Sequence, residues 1–286
     1  MTTTPTRLRR AAPRVLACPV CDSPAPPEHS FDDVHLHRCA ECGHCFTDVE
    51  SLEYPGEYDE AWEALHENWF ANPNFELFAF IAARIAAYRP NATVIDVGCG
   101  RGELLSYLRE RYPLLSLTGV DASLHPEVAG VEFIRADINS VDFGERRWDV
   151  AVSLATIEHV ADVKSFAERL WSLLLPGGLA IVATNNEQSV SYDVARIFRR
   201  LGYRDPFERL YDRHHLNHFN VNSLRTLMQR TRFRPIRLHR HNIPLGAVDM
   251  PKESTFLKLG VWLTFALGRL TGRTFFQTLV LEKDPL

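Results

Sequence analysis

Two hydrophobic patterns alternate along the chain after Pro90. Short, nearly continuous apolar runs predict buried strands, the first of which ends in a glycine turn. These runs lie at residues 93–100, 116–120, 131–136, 148–154 and 179–184. Between them, residues 102–109 and 162–174 repeat their apolar positions at helical spacing. The alternation predicts an α/β fold, a doubly wound sheet whose ligand site lies at the carboxyl ends of its strands.

The remainder of this region adds two strands and two helices. Residues 222–230 predict a capped helix, followed by a sixth strand over 233–238, and residues 275–282 predict the seventh strand. Residues 255–270 are apolar almost all round. A helix with this pattern covers a pocket, lies on a membrane as a peripheral contact, or pairs with a second copy. We expect burial or a homodimer.

Composition places the chain among ordinary globular proteins. Its 286 residues are 45% hydrophobic and 24% charged, which excludes collagen-like, low-complexity and disordered chains. No apolar run reaches the ~18 residues of a membrane span, and the N-terminus lacks the apolar core of a secretory signal. We therefore expect a cytoplasmic protein that begins with a flexible tail over residues 1–17.

The net charge of −4 hides two charged segments of opposite sign. Residues 41–76 contain ten acidic residues and no Lys or Arg, whereas residues 196–240 contain twelve Arg. The basic segment suggests an anionic substrate, and the alternative is that both segments are solvated surfaces. The overall charge argues against a nucleic-acid partner, since proteins that bind nucleic acid are usually basic.

Five of the six cysteines lie between residues 18 and 45. Four of them form a CxxC-x17-CxxC pattern, a spacing typical of four-thiolate zinc sites. These are Cys18, Cys21, Cys39 and Cys42. A disulfide framework would need an oxidising compartment, for which the chain carries no export signal. We therefore predict a zinc-ribbon module over 18–50, in which His44 or Cys45 could replace Cys42 as a ligand.

Glycines and acidic residues recur at the predicted strand ends. Gly98, Gly100 and Gly102 form GxGxG directly after the first predicted strand, with Asp96 two residues before them. Asp121 ends the second strand and Asp137 follows the third. A glycine set alone is weak evidence, but its combination with carboxylates at successive strand ends indicates a cofactor site.

These motifs resemble those of the class I S-adenosylmethionine-dependent methyltransferases over residues 91–286. VIDVGCGRG resembles their first motif, and VDAS, ADI, WDVAVSLATIEHV and LLPGGLAIV resemble the motifs that follow, in the same order. The resemblance implies a seven-stranded Rossmann-like sheet and S-adenosylmethionine as cofactor. It implies cofactor contacts at Asp96, Gly98, Cys99, Gly100, Gly102, Asp121, Ala122, Asp137, Ile138 and Leu154.

The resemblance also assigns roles within this set. Asp96 would orient the glycine loop and the ligand's ammonium group, and Asp121 would accept hydrogen bonds from both ribose hydroxyls. Asp137 would contact the adenine amine, between Ile138 and Leu154 on either side of the base. Cys99 occupies the variable position between glycines, where a packed small residue is expected rather than a nucleophile.

Histidines provide the candidate catalytic groups. Arg213-His-His-Leu-Asn-His-Phe219 resembles the HLxxF element that borders the acceptor pocket in small-molecule methyltransferases, with His215 at the family's histidine and His218 as an additional one. His159 follows the fourth strand, where a structural role is as reasonable as a catalytic one. Imidazoles titrate near neutral pH and therefore suit a general base. These histidines could instead form a second metal site, but no carboxylate or Cys accompanies them at close ligand spacing.

The predicted organisation is a tail, the zinc module, a helical bridge or lid over 51–90 and the methyltransferase domain. We expect methyl transfer to O, N or C of a small, anionic metabolite such as a sugar, polyketide or lipid-linked intermediate, with a structural Zn²⁺. One alternative is a zinc-finger rRNA or tRNA methyltransferase, against which the acidic module argues. Another is a partner subunit that binds the cofactor without catalysis.

Overall fold

The computed structural model describes residues 14–52, 67–122, 127–249 and 255–284. Residues 1–13 of the predicted tail and residues 53–66 of the predicted bridge lie outside the described residues. The described chain therefore starts at the cysteine-containing module and resumes at the second half of the bridge.

Five short strands form the N-terminal module. Strands β1 and β2 make a small antiparallel pair, and β3, β4 and β5 belong to a second antiparallel sheet. Their bounds are Leu16–Ala17, Pro24–Ala25, Pro27–Phe31, Val34–Arg38 and Cys45–Thr47. Two tight turns carry the cysteines, and Gly43 adopts a φ of 72° just after the second turn, a conformation that favours glycine.

Two helices connect the module to the main sheet. Helix α1 spans Glu67–Ala71 and α2 spans Phe75–Tyr88. Pro73 lies between them, and Asn74 begins α2 by accepting a 3.1 Å hydrogen bond from the N–H of Leu77. The apolar face of α2 packs on the main sheet through Leu77, Ile81 and Ile85.

The first five strands of the main sheet follow the predicted order. They are β6 (Thr93–Val97), β7 (Ser116–Asp121), β8 (Val131–Arg135), β9 (Trp148–Leu154) and β10 (Leu174–Asn185). Helix α3 (Glu103–Arg111) follows β6, and α4 (Val163–Leu173) follows β9. Asp162 caps α4 by accepting a 3.0 Å hydrogen bond from the N–H of Ser165.

The described residues after β10 form four helices and three strands. In chain order they are α5 (Val190–Arg200), α6 (Asp205–Leu210), β11 (Asn217–His218), α7 (Val221–Arg230), β12 (Phe233–His241), α8 (Thr255–Thr271) and β13 (Phe276–Lys283). A capping box formed by Asn220 and Ser223 begins α7. Among the described residues, no helix is long and apolar enough to cross a bilayer.

The main sheet has seven strands in the order β12-β13-β10-β9-β6-β7-β8. Strand β13 is antiparallel to both of its neighbours, and the other pairs are parallel. Helices α2 and α3 cover one face, and α4 and α7 cover the other. The structure confirms the predicted seven-stranded, Rossmann-like α/β fold, with the carboxyl ends of β6, β7, β9, β10 and β12 at one edge.

The cysteine module is built into this fold rather than appended to it. Strand β11, from the histidine segment, pairs with β5 and becomes the fourth strand of the module's sheet. The side chain of Asn220 donates a 2.8 Å hydrogen bond to the carbonyl of Gly43, so the second cysteine turn lies against the start of α7. The predicted module over 18–50 therefore shares its sheet with residues 217–218.

Ion pairs also join the module to the basic segment. Arg38 pairs with Glu187 at 2.6 Å, and Arg196 pairs with the same carboxylate at 2.5 Å. Glu187 is only 1% exposed, so it is buried between two guanidinium groups that compensate its charge. Arg38 of the module and Arg196 of the basic segment are thus held together by one buried carboxylate.

Candidate active site

The glycine loop after β6 is held in place by the end of β7. The N–H groups of Gly98 and Cys99 donate to the carbonyl of Val120 at 2.8 and 3.2 Å. The N–H of Gly100 donates to Oδ2 of Asp121 at 3.0 Å. These bonds turn the loop across the carboxyl edge and leave the N-terminus of α3 facing it, where backbone N–H groups favour polar or anionic ligand groups.

Two of the glycines are required by their surroundings. Gly98 has a φ of 72°, and a Cβ there would lie 2.3 Å from Oγ1 and 2.5 Å from Cγ2 of Thr156. Gly102 caps α3 with a φ of 77°. Both positions therefore disfavour larger residues, which leaves the backbone exposed to close approach by a ligand.

Asp96 lies beneath this loop and is almost completely buried. Among the described residues, its Oδ1 has no hydrogen-bond partner. Burial, together with the charges of Glu103 and Asp121, raises the pKa of Asp96 to about 8. An unpaired carboxylate in such a position is costly unless a cation or donor reaches it. The site therefore fits a ligand that presents an ammonium group here.

The other predicted cofactor residues lie along the same edge. Asp137 follows β8, whose end is joined to β7 by a 2.9 Å hydrogen bond from the N–H of Ala136 to the carbonyl of Asp121. Asp137 is exposed and accepts a 2.9 Å hydrogen bond from the N–H of Asn139. Ile138 and Leu154 are half-buried, and Ala122 is exposed. The structure thus brings the predicted set together along β6 to β9.

Cys99 is a packed residue of the loop. Burial raises the pKa of its thiol well above the usual range, so the sulfur is a neutral thiol at physiological pH. Its environment is the hydrophobic core between β6 and the covering helices α2 and α3. This placement agrees with the expectation of a small core residue.

Helix α1 lies over the glycine loop. Arg101 pairs with Glu67 at 3.2 Å, and its guanidinium lies 4.2 Å from the ring centroid of Phe70. On its other side, Asn72 donates a 3.1 Å hydrogen bond to the carbonyl of Gly246, in the segment after β12. The second half of the predicted bridge therefore spans the carboxyl edge as a cover.

Two of the candidate histidines lie side by side. The rings of His159 and His215 are 4.8 Å apart between centroids. Nδ1 of His159 is 2.8 Å from the carbonyl of His214. Because a carbonyl can only accept, Nδ1 carries the proton, and Nε2 is the basic nitrogen of the neutral ring. His159 follows Thr156 by one short turn, and Thr156 contacts Gly98. The two histidines therefore border the glycine loop.

His218 is buried beside this pair, with its ring centroid 6.3 Å from that of His215. His218 is 1% exposed, within β11, and its ring lies 4.6 Å from that of Tyr211. Burial lowers its pKa well below the usual range, which keeps it neutral. The sequence predicts the same site for His218 as for His215, but pairing of β11 with the module turns His218 into the interior.

Sequence reasoning overlooked two residues that organise this edge. Glu158 is buried and accepts a 2.8 Å hydrogen bond from Oγ1 of Thr184, and burial raises its pKa to about 7. Asn217 accepts a hydrogen bond from Nε2 of His44 at 3.1 Å and donates one to the carbonyl of Val160 at 2.7 Å. The acidic residue within the apolar IEHV motif was the one sequence feature that pointed to Glu158. No feature of the sequence predicted the role of Asn217.

The four predicted cysteines form one cluster. Sγ of Cys18 lies 3.6 Å from that of Cys42, and Sγ of Cys21 lies 3.4 Å from that of Cys39. Four sulfurs at ~2.3 Å from a tetrahedral Zn²⁺ would be about 3.8 Å apart. The donor set therefore fits zinc, with no position left open for a substrate. Cys45 and His44 lie outside the group that the structure brings together.

Comparison with known proteins places these features in a wider context. A family model described as a methyltransferase domain matches residues 61–238. An uncharacterized methyltransferase of Mycobacterium tuberculosis is 30% identical over 128 residues, which cover 42% of this chain and 62% of the relative. A trans-aconitate 2-methyltransferase of Methylobacterium nodulans is 31% identical over 153 residues, which cover 51% of this chain and 57% of the relative.

The chain thus spans about three-fifths of the length of these curated relatives. Among solved structures, phosphoethanolamine N-methyltransferase 2 of Haemonchus contortus superposes with a TM-score of 0.54 at 18% identity, covering 78% of this chain and 56% of that one. The plantazolicin methyltransferase BpumL gives the same TM-score at 18% identity, covering 79% and 92%. At these identities, the two structures establish a common fold.

Proposed function

Since the chain belongs to the methyltransferase-domain family, we propose that it transfers a methyl group from S-adenosylmethionine to O, N or C of a small organic acceptor. The observation that carries this proposal is the buried Asp96 carboxylate, whose Oδ1 lacks a partner among the described residues, beneath a glycine loop. A cationic amino-acid group in this position would pair with the carboxylate. The bound cofactor supplies an electrophilic methyl group on a sulfonium centre.

The chain's own residues hold and orient the reactants. Gly98, Gly100 and Gly102 let the backbone approach the cofactor, and Asp121 offers its carboxylate to the ribose hydroxyls. Asp137, Ile138 and Leu154 border the adenine. Methyl transfer proceeds by in-line displacement, so alignment of the acceptor and exclusion of water account for most of the rate. Helix α1 suits the second task because it covers the loop.

For an acceptor that must lose a proton, the proposed base is His159 or His215. Nε2 of His159 is basic while Nδ1 donates to the carbonyl of His214. His218 supports His215 from the interior, with ring centroids 6.3 Å apart. This assignment leaves His218 as a positioning residue, since its side chain is buried away from an acceptor.

The cysteine cluster is proposed to hold one structural Zn²⁺. Its four-sulfur donor set leaves no open position, so the metal has no site for catalysis. The module contacts the histidine segment through β5 and β11, and Thr47 N–H donates to the carbonyl of Leu216 at 2.9 Å. The zinc would therefore keep the segment that carries His215 in place.

The charge distribution supports a small molecule over RNA. The module is acidic, and its acidic groups pair with the basic segment: Arg213 with Asp33 at 2.9 Å and Arg230 with Asp22 at 2.5 Å. Arginines that already form ion pairs with acidic side chains contribute little to binding the phosphates of RNA. The same pairing weakens the case that the acceptor is an anion.

The test uses S-adenosylmethionine labelled in its methyl group. The purified chain is incubated separately with the low-molecular-weight fraction, the lipid extract and the total RNA of a bacterial extract. The proposal predicts label in small molecules and its loss in Asp121→Ala. Label in RNA would overturn the acceptor class, and cofactor binding without label in any fraction would favour a non-catalytic subunit.

A further inference from the structure

Helix α8 exposes an apolar stripe on the side opposite its packing face. The stripe, which we call the α8 stripe, has members at spacings of three or four residues, each between 50% and 90% exposed. It consists of Phe256, Leu259, Leu263, Leu267 and Leu270. At 100° per residue these positions share one side of the helix. The sequence predicts burial of this helix, but the structure buries only the side opposite the α8 stripe.

The packing face is short and partly polar. Oγ1 of Thr264 lies 3.0 Å from Oγ of Ser191 on α5. The side chain of Asn242, after β12, donates a 3.1 Å hydrogen bond to the carbonyl of Phe265. The helix is thus fixed to the body of the protein at these points. These contacts leave the α8 stripe facing outward.

A cavity of about 580 Å³ opens beside the stripe. Trp262, Phe265, Arg269 and Leu270 line it from α8, and residues 73–76 and 242–245 line it from the start of α2 and the end of β12. Leu270 belongs to both the cavity and the stripe. Leu270 therefore joins the stripe to the lining of the cavity.

The cavity reaches the edge of the sheet where the cofactor site lies. Strands β12 and β10 are both antiparallel to β13, so their carboxyl ends share one edge. Asn72 of the cover joins the segment after β12 through its bond to Gly246, while Arg101 of the glycine loop joins the same cover. Residues 67–72 thus contact both the glycine loop and the segment after β12 that lines the cavity.

Charge distinguishes the occupants that could cover the stripe. Helix α8 contains Lys258 and Arg269 but no acidic residue. A second copy packed on the stripe would bring together two helices that contain basic but no acidic residues, which is unfavourable. An anionic lipid surface complements the same charges, and the half-exposed Trp262 is a residue typical of membrane interfaces.

We propose that α8 lies in the interface of an anionic lipid bilayer, and that the adjoining cavity receives the apolar part of a lipid-linked acceptor from that bilayer. The helix has 17 residues and lies along the surface, with its apolar side in the lipid and its packing side on the protein. This inference rests on the proposed methyl transfer and specifies its acceptor class.

Vesicle flotation tests the surface. We expect the full chain to bind vesicles of phosphatidylcholine with phosphatidylglycerol. Binding should be weaker to phosphatidylcholine alone. It should also be weaker in ~0.5 M salt, which shortens the Debye length to a few ångströms. Leu263→Glu should lower binding about tenfold or more, because a buried Leu is lost from the lipid. Leu114→Glu, at a 70% exposed position before β7, is the matched control and should bind as the wild type does.

Two results would overturn the membrane contact. One is the absence of vesicle binding. A dimer detected by sedimentation and dissociated by Leu263→Glu would then identify a second copy as the occupant of the stripe. The other is equal binding by Leu263→Glu and the wild type. Calorimetry with S-adenosylmethionine separates this failure from failure of the proposed function, because Leu263→Glu should keep the wild-type cofactor affinity.

Label transfer tests the cavity. With methyl-labelled cofactor and vesicles of total bacterial lipid, we expect label in the organic-solvent extract, reduced at least severalfold in Leu270→Glu. Label confined to water-soluble products would overturn the lipid-linked acceptor while leaving methyl transfer itself supported. Leu114→Glu again serves as the control and should label the lipid extract normally.

Discussion

Gly98 and Thr156 lie so close that a Cβ on the glycine would be 2.3 Å from the threonine Oγ1. This contact joins the end of β6 to the loop after β9, which carries His159. It connects the proposed cofactor loop with the proposed acceptor side, and it makes the glycine indispensable for packing as well as for its backbone conformation.

Gly98→Ala should destabilise the fold by about 1–3 kcal/mol from overpacking, in addition to about 1 kcal/mol of strain at positive φ. Gly177→Ala is the matched control, since Gly177 has the same φ of 72° and a Cβ added there would meet no atom within 4 Å. Urea unfolding should show the larger loss in Gly98→Ala. Equal losses would mean that Thr156 does not constrain the loop.

Asp96→Asn should stabilise the cofactor-free protein more at pH 8 than at pH 6. The unfolded carboxyl titrates near 3.8 and the folded one near 8. Between these values the folded state holds a proton that the unfolded state has lost, so wild-type stability falls as the pH rises through this window. Asparagine is neutral throughout and removes that contribution. Urea unfolding at both pH values measures the difference.

Asp149→Asn serves as the matched control for this experiment. Asp149 is also buried, but it accepts a 2.6 Å hydrogen bond from Arg89 and a 2.9 Å bond from the N–H of Thr93. Its replacement should destabilise the protein at both pH values. A loss of stability in Asp96→Asn that does not change with pH would contradict the buried, unpaired environment of Asp96.

Cys39→Ser should reduce bound zinc from one equivalent to well below one, because the cluster needs all four thiolates. Cys45→Ala, altered outside the cluster, should retain the metal. Elemental analysis of the purified proteins measures the zinc content. Full zinc in Cys39→Ser, or its loss in Cys45→Ala, would show that the ligands differ from the four cysteines assigned.

Asn217→Ala and His44→Ala should be coupled in stability. Asn217 bridges His44 of the module and Val160 beside His159, so either substitution breaks the same link. Each should cost about 1–3 kcal/mol, with a coupling energy of at least about 0.5 kcal/mol in the double variant. Additive losses in urea unfolding would show that the bridge does not join the two parts.

Local patterns in the sequence were sufficient for the sheet and for the edge that carries Asp96, the glycines and Asp121. The period of the apolar residues is a property of each strand, and GxGxG is a property of one turn. The cysteine cluster also followed from spacing alone. The confirmed fold shows that these short-range signals agree with the tertiary structure.

Other features depend on contacts between distant segments. His218 and His215 are three residues apart, yet pairing of β11 with β5 buries the first beside Tyr211. The basic segment looked like a substrate surface, whereas Arg196 and Arg213 meet acidic groups that no local pattern relates to them. Helix α8 has apolar residues on most sides, and composition could not show which side faces outward.

The central claim, a cofactor site at the carboxyl edge of β6 and β7, is tested most directly by calorimetric titration of S-adenosylmethionine. The titration compares the wild type, Asp121→Ala and the exposed control Asp142→Ala. Asp121 ends β7 and holds Gly100 at 3.0 Å, so its loss removes both a charged acceptor and a loop contact. We predict one site in the wild type, affinity lowered about 10- to 100-fold in Asp121→Ala, and no change in Asp142→Ala. Unchanged affinity in Asp121→Ala would contradict this cofactor site.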